Sequence, residues 1–354
     1  MDSHNSYSEY LGDSREDQCP VISRRTLILP IDPNGPEPGG VRQAADVLRS
    51  GWLVAFPTET VYGLGANALD PDAVSRIFEA KGRPATNPLI VHVCDESMLS
   101  QVVADWPAVA AKLISRFWPG PLTLVLPKNP AIPDIVTGGG PTVAVRMPAH
   151  PVALALIRES RMPLAAPSAN RSSELSPTTA EHVWKGLEGR IDLILDAGPT
   201  QSGIESTVLD LTTHPPTLLR PGPIGVAEIE ARIGPIQRKR DTPRTGPLPS
   251  PGMLERHYAP NTPLELFADR AVLEERASAL VASGQTVKKV LLGGIDHSAS
   301  VMPTHHDQYA ARLFAELHDL DSLWLNRILI EMPPETDDWL AVRDRLTRAA
   351  TEGS

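Results

Sequence analysis

Apolar and polar positions fall into blocks that switch between the two-residue period of a strand and the 3.6-residue period of a helix. Thr26 to Leu29 predicts a first strand. Val41 to Arg49 puts Val41, Ala44, Ala45 and Leu48 on one helical face, and Gly51 follows as a stop. Trp52 to Phe56 is an apolar run of strand length. Asp70-Pro71-Asp72 predicts a helix start, a capping carboxylate and then proline in the first turn. That helix runs to about Ala80 and delivers Lys81 and Arg83 at its C-terminal end. Strands are expected at Leu89 to Val93, Leu122 to Leu126, Thr142 to Arg146 and Leu164 to Ala166. Helices are expected at Pro107 to Phe117, Pro151 to Arg158 and Thr178 to Trp184, the last with Thr178 and Glu181 as a capping box. Strands at Leu193 to Leu195, Ser206 to Leu211 and Thr217 to Leu219, with a helix from Ile224 to Ile233, close a first unit. The irregular mixture predicts a mixed α/β sheet rather than a strict doubly wound one.

After Pro235 the periodicity stops. Residues 235–262 read as a linker holding Arg238-Lys239-Arg240 and Pro243, Pro247, Pro249 and Pro251. The basic run is a solvated patch. From Pro263 a βαβ pattern returns: strands at Leu264 to Phe267, Val287 to Leu292 and Leu325 to Ile330 alternate with helices at Ala271 to Val281, Gln308 to Leu317 and Trp339 to Ala349. Such alternation favours a small, mainly parallel sheet. The domains are therefore expected at 1–24 (a charged, disordered tail), 25–234, 235–262 (the linker) and 263–354.

Composition narrows the function classes. The 354 residues carry a net charge of −10, which disfavours a global electrostatic grip on nucleic acid. The two cysteines, Cys19 and Cys94, cannot build a disulfide framework or a cysteine-rich zinc site and read as plain thiols. A polar N-terminus without an apolar signal region, and no apolar run of membrane-spanning length, place the protein in the cytoplasm.

The chemistry gathers at strand ends. Phe56-Pro57-Thr58-Glu59-Thr60-Val61-Tyr62-Gly63-Leu64-Gly65-Ala66 reads as a strand opening into a loop where hydroxyls and backbone approach a ligand. Lys81-Gly82-Arg83-Pro84 and Asn87-Pro88-Leu89 add cations and an amide, and His92 follows within a strand. Thr142 and Arg146, an even number apart, share one face. Pro167-Ser168-Ala169-Asn170 follows a buried strand, and Ser176-Pro177-Thr178 leads into a helix, where hydroxyls suit phosphate oxygens. Ser206-Thr207 opens another strand and Arg220-Pro221-Gly222 ends the next. No P-loop or dinucleotide fingerprint is present. Gly138-Gly139-Gly140 reads as a mobile turn, and His305-His306-Asp307 as a solvent-facing helix cap.

Together these motifs resemble the YrdC-like threonylcarbamoyl-AMP synthases. Ser250-Pro-Gly-Met, His257-Tyr-Ala-Pro and the closing helix with Asp344-Arg345-Leu346 resemble the longer, two-domain branch. The resemblance implies a twisted α/β domain with a cationic concave surface, a linker that closes over it, and a small Rossmann-like domain. It implies that L-threonine, bicarbonate and ATP give L-threonylcarbamoyl-AMP and diphosphate, for threonylcarbamoyladenosine modification of tRNA. The enzyme would be a nucleotidyltransferase using Mg2+ with ATP, without a direct protein ligand to the metal. Its product would go to a downstream tRNA threonylcarbamoyl transferase, with weak or no direct tRNA binding.

Carried over by position, threonine would meet Thr60, His92, Arg146, the backbone at Ala166, and Ser206. ATP would meet Arg83, Asn87, Thr142, Ser168, Ser176 and Arg220, with Tyr258 reaching in from the linker as part of a lid. Lys81 and Asn170 would complete the phosphate and magnesium environment. Lys81, Arg83 and His92 are the catalytic candidates. Two other readings of the same residues stand beside this one: a non-catalytic RNA-binding module using the same concave surface, and a carbamoyl-transfer enzyme. The absence of cysteine-rich zinc segments speaks against the latter.

Overall fold

The structure, a computed structural model, describes residues 25–238 and 258–350. The expected tail at 1–24, the linker residues 239–257 and Cys19 lie outside the described residues.

The first unit runs β1 (Leu27–Pro30), α1 (Pro38–Arg49), β2 (Val54–Phe56), β3 (Gly63–Asn67), α2 (Pro71–Lys81), β4 (Ile90–His92), α3 (Glu96–Val102), α4 (Ala108–Phe117), β5 (Leu122–Pro127), α5 (Asp134–Thr137), β6 (Thr142–Arg146), α6 (Pro151–Ser160), β7 (Leu164–Ala165), α7 (Ala180–Leu187), β8 (Leu193–Asp196), β9 (Thr207–Asp210), β10 (Thr217–Arg220), α8 (Val226–Ile233) and β11 (Gln237–Arg238). These strands form one 11-stranded sheet in the order β1-β8-β2-β3-β7-β4-β6-β5-β9-β10-β11. Parallel pairs (β4 with β6, β5 with β9) alternate with antiparallel ones (β5 with β6, β9 with β10), so the sheet is mixed.

The second unit holds β12 (Leu264–Phe267), α9 (Arg270–Ala282), β13 (Val287–Leu292), β14 (Ser300–Met302), α10 (His306–Asp321), β15 (Arg327–Glu331) and α11 (Leu340–Ala349). Its four strands, ordered β12-β15-β13-β14, pair in parallel throughout. Among the described residues no helix is long and apolar enough to cross a membrane.

The two units share buried surface. Val61, Leu175 and Ile204 of the first join Tyr309, Phe314, Trp339 and Leu346 of the second in one apolar cluster. His182 of α7 stacks on His318 of α10 with ring centroids 3.9 Å apart. His318 Nε2 lies 3.1 Å from the Ser176 carbonyl oxygen.

Several local expectations need correction. The segment after Pro57 is not loop throughout: Gly63–Asn67 is a strand, with Gly65 opposite Val54. A Cβ at Gly65 would stand 2.8 Å from the Phe56 ring, so glycine is there for space inside a strand, not to break one. The cap of α7 is Thr179, whose hydroxyl accepts from the His182 N–H at 3.3 Å; Thr178 lies outside the helix and faces His182 Nδ1 instead. Gly138 ends the short α5 at φ +59°, and a Cβ there would meet the Thr86 carbonyl oxygen at 2.7 Å, so this turn packs against the Arg83–Asn87 segment. The helices α3 and α5 and the strands β11 and β14 carry too few residues to show a period and escaped the sequence reading.

Candidate active site

Strand register decides what can meet. β4 and β6 run parallel with His92 opposite Arg146, so an imidazole and a guanidinium emerge side by side at two strand ends. β7 pairs with β4 in the opposite sense and carries the chain straight into Ala166, Pro167 and Ser168. Gly63 bridges to Ser168, which ties the start of β3 to the same place. β9 begins at Thr207 beside the end of β10 at Arg220. A cavity of about 40 Å3 lies where these ends converge. Ligand crevices outside strand ends follow the general rule for α/β sheets.

Thr60, Arg83, His92, Arg146, Ala166, Ser168, Ser206, Arg220 and Tyr258 line that cavity. At one end Arg146 donates from Nε to the Gly120 carbonyl at 3.1 Å and from Nη1 to Thr60 Oγ1 at 3.0 Å. The Thr60 hydroxyl in turn lies 2.8 Å from Thr58 Oγ1. Glu59 Oε1 stands 2.6 Å from Arg146 Nη2, both side chains buried. Burial and then the neighbouring Arg146 charge push the His92 imidazole down to about 3, so it is neutral across the physiological range. The Ala166 N–H is used by the Ile90 carbonyl at 2.9 Å.

At the other end Arg220 donates from Nε to the Ser206 carbonyl and from Nη2 to Ser206 Oγ, each at 3.0 Å. Ser206 Oγ also lies 2.8 Å from Thr123 Oγ1. Arg83 is held by the Asn87 and Pro88 carbonyls at 3.2 and 2.9 Å, and burial lowers it to about 10. Tyr258 is buried at φ +63° and lines the same cavity as Arg83 and Arg220.

Lys81, Asn87, Asn170, Ser176 and Thr142 do not line the cavity. The Lys81 ammonium is wholly buried and donates to the Ser168 carbonyl at 2.6 Å and to the Asn170 carbonyl, which shapes the Pro167–Asn170 turn from behind. Burial and then the Arg83 charge lower it well below the usual range of an amine. The Asn170 side chain is spent on the Arg171 and Glu174 carbonyls. Ser176 donates its hydroxyl to Glu205. Thr142 opens β6, roughly 13 Å along the strand from Arg146 at the rise of an extended chain.

Three charged residues to which the sequence reading assigned no site role prove to belong to the site. Glu59 backs Arg146, Glu205 lines the cavity, and Arg345 of α11 reaches Glu205 from the second unit. Glu59 lies inside the Phe56–Ala66 motif next to Thr60, and Glu205 immediately precedes Ser206. Arg345 stood in the Asp344-Arg345-Leu346 motif of the closing helix, but its role was hidden because its partner lies 140 positions away. Glu205 is the one carboxylate among the described lining residues, and one of its oxygens takes the Ser176 hydroxyl while the other takes Arg345 Nε at 2.7 Å.

Similarity to known proteins follows the same outline. A family model described as "Telomere recombination" matches residues 46–222, and one described as "Threonylcarbamoyl-AMP synthase, C-terminal domain" matches residues 224–351. The threonylcarbamoyl-AMP synthase of Pyrococcus abyssi is 46% identical over 88% of this chain and 94% of its own. The chain belongs to the YrdC-like threonylcarbamoyl-AMP synthase family. The family member of Schizosaccharomyces pombe is 38% identical over 96% of this chain and 94% of its own. A crystal structure of P. abyssi Sua5 complexed with L-threonine superposes with a TM-score of 0.85, at 45% identity, covering 92% of this chain and 98% of that one. Both units of the present fold are thus shared with this two-domain branch of the YrdC-like synthases.

Proposed function

We infer that this chain is an L-threonylcarbamoyl-AMP synthase, and that it acts as a nucleotidyltransferase on L-threonine, bicarbonate and ATP. The observation that carries this reading is one cavity with a carboxylate-sized guanidinium site at one end and two further guanidinium groups at the other. Arg146, set between Thr60 and His92, suits the amino acid carboxylate, because a guanidinium offers paired donors. Arg83 and Arg220, with the hydroxyls of Ser168 and Ser206, suit phosphate oxygens.

The chemistry asks for positioning more than for a nucleophile. The threonine amine, as the free base, condenses with bicarbonate to a carbamate, with loss of water. A carbamate oxygen then attacks the α-phosphorus of ATP, and the bond to diphosphate breaks. Two anions must meet, so fixed positive charge in a water-poor site supplies much of the acceleration. His92 acts as a neutral imidazole that orients threonine, since a group that titrates near 3 is a weak proton acceptor. Lys81 builds the turn that presents Ser168.

Mg2+ would arrive with the triphosphate and neutralise part of its charge. The donor set fits that arrangement: the cavity offers cations, hydroxyls and a carboxylate already bound to Ser176 and Arg345. A cavity of about 40 Å3 is well below the roughly 300 Å3 at which ligand pockets begin, so the site must widen for ATP to enter, and Tyr258 is the lining residue that the linker supplies. We place the reaction in the cytoplasm, with the product handed to a tRNA threonylcarbamoyl transferase; the net charge of −10 favours little direct grip on tRNA. Diphosphate release from ATP tests the reading. It should require both threonine and bicarbonate, and release indifferent to threonine would contradict it.

A further inference from the structure

We propose that Arg345, carried by the second domain, is a positioning residue for the nucleotide half of the site: it holds the Glu205 carboxylate away from Arg220 and so leaves Arg220 to the triphosphate. The proposal rests on the synthase reading above for the identity of the nucleotide.

Arg345 is fully buried although it sits on a helix of a separate domain. Its Nε meets Glu205 Oε2 at 2.7 Å, and its Nη2 meets the Pro221 carbonyl at 3.1 Å and lies 3.4 Å from the Glu205 carbonyl. It therefore staples Glu205, two residues before β9, to Pro221, the residue after β10, the two chain segments that flank Arg220. The same guanidinium lies over the Tyr258 ring at 5.2 Å. Asp344 takes Nη1 at 2.7 Å and is itself held by Arg348 at 3.0 Å, so the fork is fixed from its own helix as well.

Charge explains why such a contact is needed. A carboxylate that lines a phosphate site repels its ligand and competes for its cations. Burial alone would raise Glu205, but Arg345 first, then Arg220 and the Ser176 hydroxyl, outweigh it and keep the carboxylate ionised. Arg220 is the second cation whose charge reaches Glu205. Remove Arg345, and Glu205 keeps a single cationic neighbour, the one that ATP requires. A buried carboxylate stripped of its partner draws strongly on whatever charge remains.

Three full-length proteins decide the matter: Arg345→Met, Glu205→Gln/Arg345→Met, and wild type. KM for ATP and for threonine is measured for each, together with threonine binding by calorimetry without ATP. Arg345→Met should raise KM for ATP by about tenfold or more while threonine binding stays within about twofold. The double variant, with no stranded charge, should recover most of the loss. Equal weakening for both substrates, no effect on ATP, or a double variant no better than the single would overturn the proposal. If the single variant does not fold, the double variant decides: a folded, ATP-binding protein supports the proposal, and an unfolded one refutes it. Failure of wild type to form an adenylate would instead refute the synthase reading, and nucleotide binding by the three proteins would still report on Arg345.

Discussion

Arg146 and Glu59 form an ion pair at 2.6 Å in which both side chains are almost wholly buried. The guanidinium that faces the cavity is thus charge-balanced from behind before any substrate arrives. Thr60 and the Gly120 carbonyl fix its plane. A carboxylate that binds there meets a group already oriented, which lowers the cost of ordering it. Arg146→Ala should abolish threonine-dependent diphosphate release, with ATP binding retained. An unaffected rate would remove the carboxylate from Arg146.

Glu59→Gln tests the same pair from the other side. The variant leaves a buried cation without a counter-charge, a change that costs about 3–5 kcal/mol in comparable settings. Its melting temperature should fall. Threonine then supplies the missing negative charge, so it should raise the melting temperature of the variant by more than that of the wild type. Equal shifts would mean that the amino acid binds elsewhere.

Gly222 shows how the backbone itself shapes the phosphate end. A Cβ at this position would stand 2.3 Å from the Thr207 nitrogen and 2.7 Å from the Glu205 carbonyl oxygen. Gly222→Ala must push the start of β9 away from Arg220. We expect a loss of about 1–3 kcal/mol in stability from overpacking, and ATP binding should weaken with it. Gly39, inside α1 with open space around it, is the contrast: Gly39→Ala should add about 0.5–1 kcal/mol. Denaturant midpoints and nucleotide titrations on both variants check the pair.

The His182–His318 stack makes stability depend on pH. Burial, more than any neighbouring charge, brings each imidazole from an ordinary 6.5 down to about 4; Lys185 adds to this for His182, and His182 for His318. Glu181 and Asp321 oppose the shift without reversing it. The folded state therefore refuses protons that the unfolded chain accepts. The stabilisation is complete above 6.5 and is lost as pH falls toward 4. Urea midpoints should drop between about pH 7 and about pH 5, and His318→Asn should flatten that slope. An unchanged slope would mean that the interdomain stack does not titrate with folding.

The elements with strong periods were legible, β6, β12 and β13 to the residue. The apolar face of α1 and the Asp70 cap of α2 were also plain. β3 was not, because Gly63 and Gly65 mimic a loop when their partner Phe56 cannot be seen packing on them. At the site, groups facing the cavity left a signal in their own motifs. Groups acting through another residue, Glu59 behind Arg146 and Arg345 behind Glu205, stood inside motifs without a role of their own, since only the fold brings each to its partner. Thr142 shares a strand with Arg146, and parity of spacing said nothing of the distance between the two ends.

The most direct test of the central claim is to incubate the full chain with ATP, Mg2+, L-threonine and carbon-labelled bicarbonate, then read the adenylate by mass spectrometry. The account predicts L-threonylcarbamoyl-AMP carrying one labelled carbon, formed by wild type and absent with Arg146→Ala. An adenylate without the label, or the same product from Arg146→Ala, would contradict it.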